Sequence, residues 1–443
     1  MKMALSYLYQ LVNIFAGLIM LPLLLGFLSA GDFLRWSLFI VIAGMSLQVE
    51  SAIQAVLVRS IAGASNHGYL RFHLEIGHSR RVYLIFALVV LVAMGFGGGA
   101  YLASVSGSGS QSPWILQWLL FVFAYCFNYI CGPNNCILIA TDRTTHFNLI
   151  NSASRIINLS LTSIFLMNGL GIWGLVFSFS ASVLVGCSLN YLQARKAQAN
   201  FRDVAATLAQ DAVYERPAAS NIIKYGAYVF LSYALYRSIL LVAAIQTDAV
   251  EQNASLALAL QIFAILSTVA MTPFQMRVAP LVQALAQSNL NAAAIEFSKL
   301  SMMLNGMFLV CVTLILITPD APLQSLNPEI RMIDKPTFFL MALGFMVEAN
   351  LQSIAATMLI KKNMAFIRIY LTAMLFVAIV SVAVIYVFDG GITSLFVAII
   401  AIQAIFTLPA FVAQLRFEMP IGRSSFATAL LQAVASIRRF VQN

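Results

Sequence analysis

The stretch YGAYVFLSYALYRSILLVAAIQT, Tyr225–Thr247, carries a single charge, Arg237. As a helix it spans about 35 Å, enough to cross the roughly 30 Å core of a bilayer, and Arg237 falls at its middle. An arginine at that depth costs about 2.5–3.5 kcal/mol on insertion scales, so it should face a protein interior or a water-filled cavity. The rest of the chain has little charge to offer it. Of 443 residues, 61% are hydrophobic and 9% charged, against about 25% charged in a soluble domain. Mean hydropathy is +0.89. The composition defines a polytopic membrane protein with no room for a large soluble domain. The opening MKMALSYLYQ leads into a span of signal-anchor length with no small-residue cleavage site after it, so no removable signal peptide is expected.

Apolar stretches predict twelve helices, at 5–28, 34–58, 81–104, 114–139, 147–169, 172–194, 225–247, 254–277, 297–318, 337–360, 366–388 and 392–415. On this map 20 of the 25 Lys and Arg fall on one side, three (Arg35, Arg331 and Lys335) on the other, and Arg155 and Arg237 lie inside spans. The bias puts both termini in the cytoplasm. It also accounts for the net charge of +9 without a nucleic-acid partner. Two cytoplasmic segments stand apart. Residues 200–224 form a polar link, and in 424–443 Phe426, Leu430, Val434, Ile437 and Val441 share one helical face, as in a helix lying at the lipid surface.

The second half echoes the first at an offset of about 219 residues. Tyr7 and Tyr9 correspond to Tyr225 and Tyr228, and Arg59 to Arg277. LIATDRTTHF (138–147) corresponds to LIKKNMAF (359–366), and GIWGLVFSFSASV (171–183) to GITSLFVAIIAIQ (391–403). Six helices per copy keep the two copies in the same orientation, a parallel repeat. Transporters built this way place substrate between the halves. The expected organisation is all-α: an N-lobe at 1–194, a cytoplasmic linker at 195–224, a C-lobe at 225–416 and an amphipathic tail at 417–443.

Three segments resemble bacterial O-antigen and polysaccharide flippases of the multidrug/oligosaccharidyl-lipid/polysaccharide exporter superfamily. LPLLLGFLSAGDFLRWSLFIVIAGMSLQVESAIQAVLVRSIAG (21–63) resembles their first two helices, GLGIWGLVFSFSASVLVG (169–186) their sixth, and MTPFQMRVAPLVQALAQSN (271–289) their eighth. The chain departs where many relatives carry an acidic residue and a small Gly pair in the second helix; here Glu50 and Ser51 occur. The resemblance implies two six-helix lobes around a central cavity, alternating access and a location in the bacterial inner membrane. It implies a substrate of undecaprenyl diphosphate carrying a short oligosaccharide, with a polysaccharide polymerase and chain-length regulator as candidate partners.

A lipid-linked diphosphate needs a basic, hydrogen-bonding route while its tail stays among membrane lipids. Arginine suits it, because its planar fork donates two bonds at once and keeps its charge when desolvated. Arg237 is the first candidate; the structural alternative is a pairing with Glu348 or Glu50. Arg155 either snorkels to the cytoplasmic surface or contacts the diphosphate at the inner mouth. Asn148, Asn151, Ser152, Arg155 and Asn158 form a polar stripe at helical spacing. Arg59 and Arg277 close spans two and eight, either as orientation charges or as a pair at the cytoplasmic gate. Glu50 and Glu348, the carboxylates within the spans, either couple flipping to a proton or sodium gradient or pair with an arginine. Gly132-Pro133-Asn134-Asn135 interrupts span four, as a hinge that lines the cavity with Asn135 or as a static kink. Pro273 and Pro280 bracket Arg277 in the same manner.

Nothing points to an enzyme, a cofactor or a metal. The histidines lack the HExxH spacing, there is no Walker A sequence, and the five cysteines lie in apolar segments without zinc spacing. Two other readings stay open. A multidrug exporter of the same superfamily would favour acidic over basic cavity residues. A membrane polysaccharide polymerase or ligase would need catalytic groups in an outer loop, and the longest, Pro319–Pro336, carries Asp320, Glu329, Arg331, Asp334 and Lys335.

Overall fold

A computed structural model describes residues 2–65, 68–105, 114–205, 219–246, 249–318, 325–360, 365–386, 391–422 and 424–431. Among them, twelve helices are long and apolar enough to cross a membrane, the number expected. The chain is an all-helical, multi-pass membrane protein.

Contacts group the chain into two compact units, Met1–Ala254 with Leu323–Ile330, and Ser255–Pro322 with Arg331–Asn443. The first holds α1 (Lys2–Phe27), α2 (Ala30–Ser65), α3 (Tyr69–Val92), α4 (Gly99–Val105), α5 (Trp114–Ala140), α6 (Thr144–Met167), α7 (Gly171–Ala205) and α8 (Ala219–Gln246). The unit boundary falls within α9 (Val250–Ala286). The second unit continues with α10 (Leu290–Ile317), α11 (Lys335–Ile360), α12 (Ala365–Tyr386), α13 (Ile392–Ile402) and α14 (Leu408–Glu418).

Lipid tails are as apolar as leucine, so helices in a membrane associate through packing and hydrogen bonds rather than through the hydrophobic effect. The first unit shows both. Its interior is an aromatic cluster from α2, α5 and α7. Trp118 meets Phe39 edge-on at 4.9 Å, Phe121 meets Trp36 at 5.3 Å, and Tyr125 stacks on Phe179 at 4.7 Å. The α1–α2 corner is held by the segment 325–330. Asn327 donates to the carbonyls of Leu25 and Leu28, and the Glu329 carboxylate accepts from the Ala30 N–H. Two of these bonds satisfy carbonyls at a helix end and the third an amide at a helix start, where the intrahelical ladder has no partners to offer. In the second unit Phe263 stacks on Phe345 at 5.1 Å and packs on Phe338 at 4.7 Å, and Asp334 caps α11 through the Thr337 N–H.

The helices differ from expectation in three places. The third helix begins at Tyr69, twelve residues before the predicted start at 81, because the polar run LEIGHSRR is carried on helical turns. Pro133 does not interrupt its span: α5 is one helix from Trp114 to Ala140, and α9 runs unbroken through Pro273 and Pro280. A proline removes one ladder bond, and a packed helix can pass through it when neighbours cover the freed carbonyl. The irregular turns lie elsewhere. Spans three and twelve each widen into a π-helical turn, at Ala93–Gly98 and Gln403–Thr407. At the first, the Trp118 indole N–H donates to the Met94 carbonyl at 3.0 Å. Beside that turn lies an apolar cavity of about 490 Å³ walled by Gly95, Phe96, Gly99, Trp118 and Phe123, among others. None of the expected site residues lines it.

The polar link is partly helical, since α7 extends to Ala205 and α8 starts at Ala219. The terminal amphipathic segment is helical over 424–431; its remainder, with Val434, Ile437 and Val441, lies outside the described residues.

Candidate functional site

Arg237 and Tyr233 are four residues apart on α8 and therefore share a face. The guanidinium carbon stands 4.0 Å from the centroid of the Tyr233 ring. A cation–π contact is worth about 0.5–2 kcal/mol depending on desolvation, which offsets part of the insertion cost of the charge. Both side chains are half-buried. The far end of Tyr233 abuts Gly44 of α2, where an added Cβ would lie 1.8 Å from the phenolic oxygen. Only a residue without a side chain leaves that space.

Tyr125 of α5, buried against Phe179, lies within electrostatic reach of both Tyr233 and Arg155. Arg155 itself is exposed on α6. Of the two arginines, Arg237 is in contact with a tyrosine ring, while Arg155 acts on Tyr125 only through its field. Sequence reading found the arginines but not the tyrosines or Gly44. Their types are common in apolar helices, and only the packing of α2, α5, α6 and α8 brings them together.

Glu50 has a different neighbour from those expected. The Tyr83 hydroxyl donates to its Oε1 at 2.8 Å. Tyr83 in turn lies 3.6 Å from the Cys136 sulfur, and its ring passes so close to Gly132 that a Cβ there would sit 2.3 Å away. One turn before Glu50, the Ser46 and Tyr129 hydroxyls are 2.7 Å apart. In the second unit the Glu348 carboxylate is buried and accepts from Gln403 at 3.0 Å, with Tyr370 and Gln352 each at 3.4 Å. Gln403 opens the second π-helical turn, so the irregular backbone carries one of the donors to this carboxylate. Asn350 and Asn305 exchange amide hydrogen bonds at 2.8 and 3.0 Å.

A further carboxylate, buried like Glu348, escaped the sequence reading, which placed Glu50 and Glu348 alone within spans. Glu75 is 3% exposed and accepts from the Ser60 hydroxyl at 2.6 Å. Its signal was hidden by the late predicted start of the third helix.

The polar stripe on α6 divides. Asn148 and Ser152 are buried, Asn151 and Asn158 half-buried, and Asn158 accepts from Thr162, whose hydroxyl is 2.7 Å from that of Ser178 on α7. The stripe is therefore unevenly exposed, and Asn158 adjoins the Thr162–Ser178 bond that links α6 to α7. Asn135 accepts from Asn190 at 3.0 Å and joins α5 to α7. Arg59 is exposed near the end of α2, within electrostatic reach of Tyr225 at the start of α8. Arg277 is on α9, and its side chain lies outside the described residues.

The fold is similar to that of several solved membrane transporters. An inward-facing multidrug resistance MATE family transporter of the MOP superfamily matches with a TM-score of 0.56 at 14% identity, over 93% of this chain and 94% of that one. A mutant form of the Vibrio cholerae MATE transporter VcmN matches with a TM-score of 0.54 at 13% identity, over 96% and 98%. Lipid II flippase MurJ in an inward closed conformation matches with a TM-score of 0.52 at 13% identity, over 97% and 91%. No protein-family model matches the sequence. No curated protein matches it either.

Proposed function

We propose that this protein is a flippase that carries undecaprenyl-diphosphate-linked oligosaccharide repeat units from the inner to the outer leaflet of the bacterial inner membrane by alternating access. The observation that carries the reading is the placement of Arg237, a permanent cation in mid-span, held over the Tyr233 ring. Arg155, exposed on α6 within electrostatic reach of Tyr125, adds a second cation within a span. A diphosphate is the ligand class that rewards such charges, since each guanidinium can donate a bidentate, charge-assisted pair. The fold supports transport in general, and the likeness to both MATE transporters and MurJ leaves the cargo to be argued from the site. A multidrug exporter is the competing reading within that fold; the cations Arg237 and Arg155 within spans disfavour cationic drugs.

In this reading both termini are cytoplasmic, the two six-helix repeats form lobes around the route, and Arg59 and Arg277 guard its inner mouth. Glu50, in its contact with Tyr83, and Glu348 among its amide donors serve as proton or sodium coupling sites. A polysaccharide polymerase and a chain-length regulator act on the delivered units.

The test is deletion of the gene, followed by separate labelling of lipid-linked repeat units in each leaflet. The expected result is their accumulation in the inner leaflet, reversed by the wild-type chain and not by Arg237→Ala. Normal outer-leaflet units after deletion would exclude the function.

A further inference from the structure

We propose that Tyr233, seated on Gly44, is a positioning residue that holds the Arg237 guanidinium at mid-depth for the anionic head of the substrate. The inference rests on the reading of Arg237 as the site for that head. An arginine has a long flexible stem and, inside a membrane, bends toward the nearest water. A group that must meet an anion halfway across has to be restrained from doing so. The Tyr233 ring supplies the restraint, with its face 4.0 Å from the guanidinium carbon. A ring can hold an arginine only if the ring itself is fixed. Gly44 fixes it: an added Cβ would lie 1.8 Å from the phenolic oxygen, 2.3 Å from Cζ and 2.9 Å from Cε1 of Tyr233. Those distances are far inside van der Waals contact, so the ring fills the space a side chain on α2 would occupy.

The same unit repeats the arrangement around Glu50. Tyr83 lies against Gly132 of α5, where a Cβ would be 2.3 Å from Cε1 and 2.6 Å from Cζ, and its hydroxyl holds Glu50 at 2.8 Å. In both places a glycine on one helix receives a tyrosine from another, and the tyrosine holds a charge within a span. Close helix packing alone explains the glycines. It does not explain why the residue received is in each case the one that touches the charge.

The experiment measures polymer export by intact cells, normalised to the protein present in the membrane. Tyr233→Phe keeps the ring face and should retain export within about two-fold of wild type. Tyr233→Leu keeps apolar bulk but no π-face, and should lose about ten-fold or more. Gly44→Ala should lose as much by displacing the ring. Should Gly44→Ala fail to reach the membrane, the double variant Gly44→Ala/Tyr233→Leu, in which the clash is relieved, replaces it and should export no less than Tyr233→Leu alone. Wild-type export by Tyr233→Leu, alongside loss in Arg237→Ala, would overturn the positioning role and leave the site reading intact. Equal loss in Tyr233→Phe and Tyr233→Leu would also overturn it, since the ring face would not matter. Wild-type export by Arg237→Ala would overturn the site reading itself, and the two failures are thereby told apart.

Discussion

Arg237 is costly where it stands, and the Tyr233 ring offsets part of that cost. A hydrogen bond to a charged partner contributes about 1.5–3 kcal/mol, so Arg237→Ala should lower export roughly ten- to hundred-fold at unchanged membrane abundance. Arg237→Lys keeps the charge and loses the planar fork, and should keep part of the activity; both are read in the same export assay. Glu50 calls for a different measurement. Glutamine there still accepts from the Tyr83 hydroxyl, so Glu50→Gln should leave folding intact. If Glu50 couples transport, this variant should lose the response of export to an imposed proton gradient in inverted vesicles. An undiminished response would remove Glu50 from coupling.

Single helices hold two lessons about reading irregularity from a sequence. Pro133 looks like a break, yet α5 is continuous through it. Pro133→Ala should accordingly change the melting temperature of the detergent-purified protein very little. The run AMGFGG at 93–98 carries the irregular turn instead, and the Trp118 indole donates to its Met94 carbonyl. Trp118→Phe keeps an aromatic ring but removes one of the two donors to that carbonyl, the other being the Gly99 N–H. A lost hydrogen bond costs about 0.5–1.5 kcal/mol, so this variant should melt slightly earlier than wild type in the same assay. The start of the third helix shows the opposite error. Hydropathy placed it at 81 because LEIGHSRR is polar, but helices extend beyond the apolar core, and Glu75 is buried in the added turns.

For the whole molecule, the number of spans is written in the order of apolar runs, and the basic loops predict their direction. Single-cysteine variants on a cysteine-free background test the direction. Ser108→Cys should react with an impermeant thiol reagent added outside the cells, and Ala209→Cys only after the membrane is opened. The reverse pattern would invert the topology. Membrane insertion itself makes this much legible. Each span must satisfy its own backbone in lipid, so length and hydropathy report it locally, and the basic residues are sorted loop by loop. The sequence by itself therefore determined twelve helices, a membrane location and the two arginines that stand within spans. Only the tertiary structure decided what those charges meet. The partners come from helices far apart in the chain: Tyr233 of α8 on Gly44 of α2, Tyr83 of α3 on Gly132 of α5, and Glu348 of α11 with Gln403 in the last span. A tyrosine or a glycine carries no mark of its role in an apolar helix. The role arises when another helix approaches closely enough for a missing Cβ to matter.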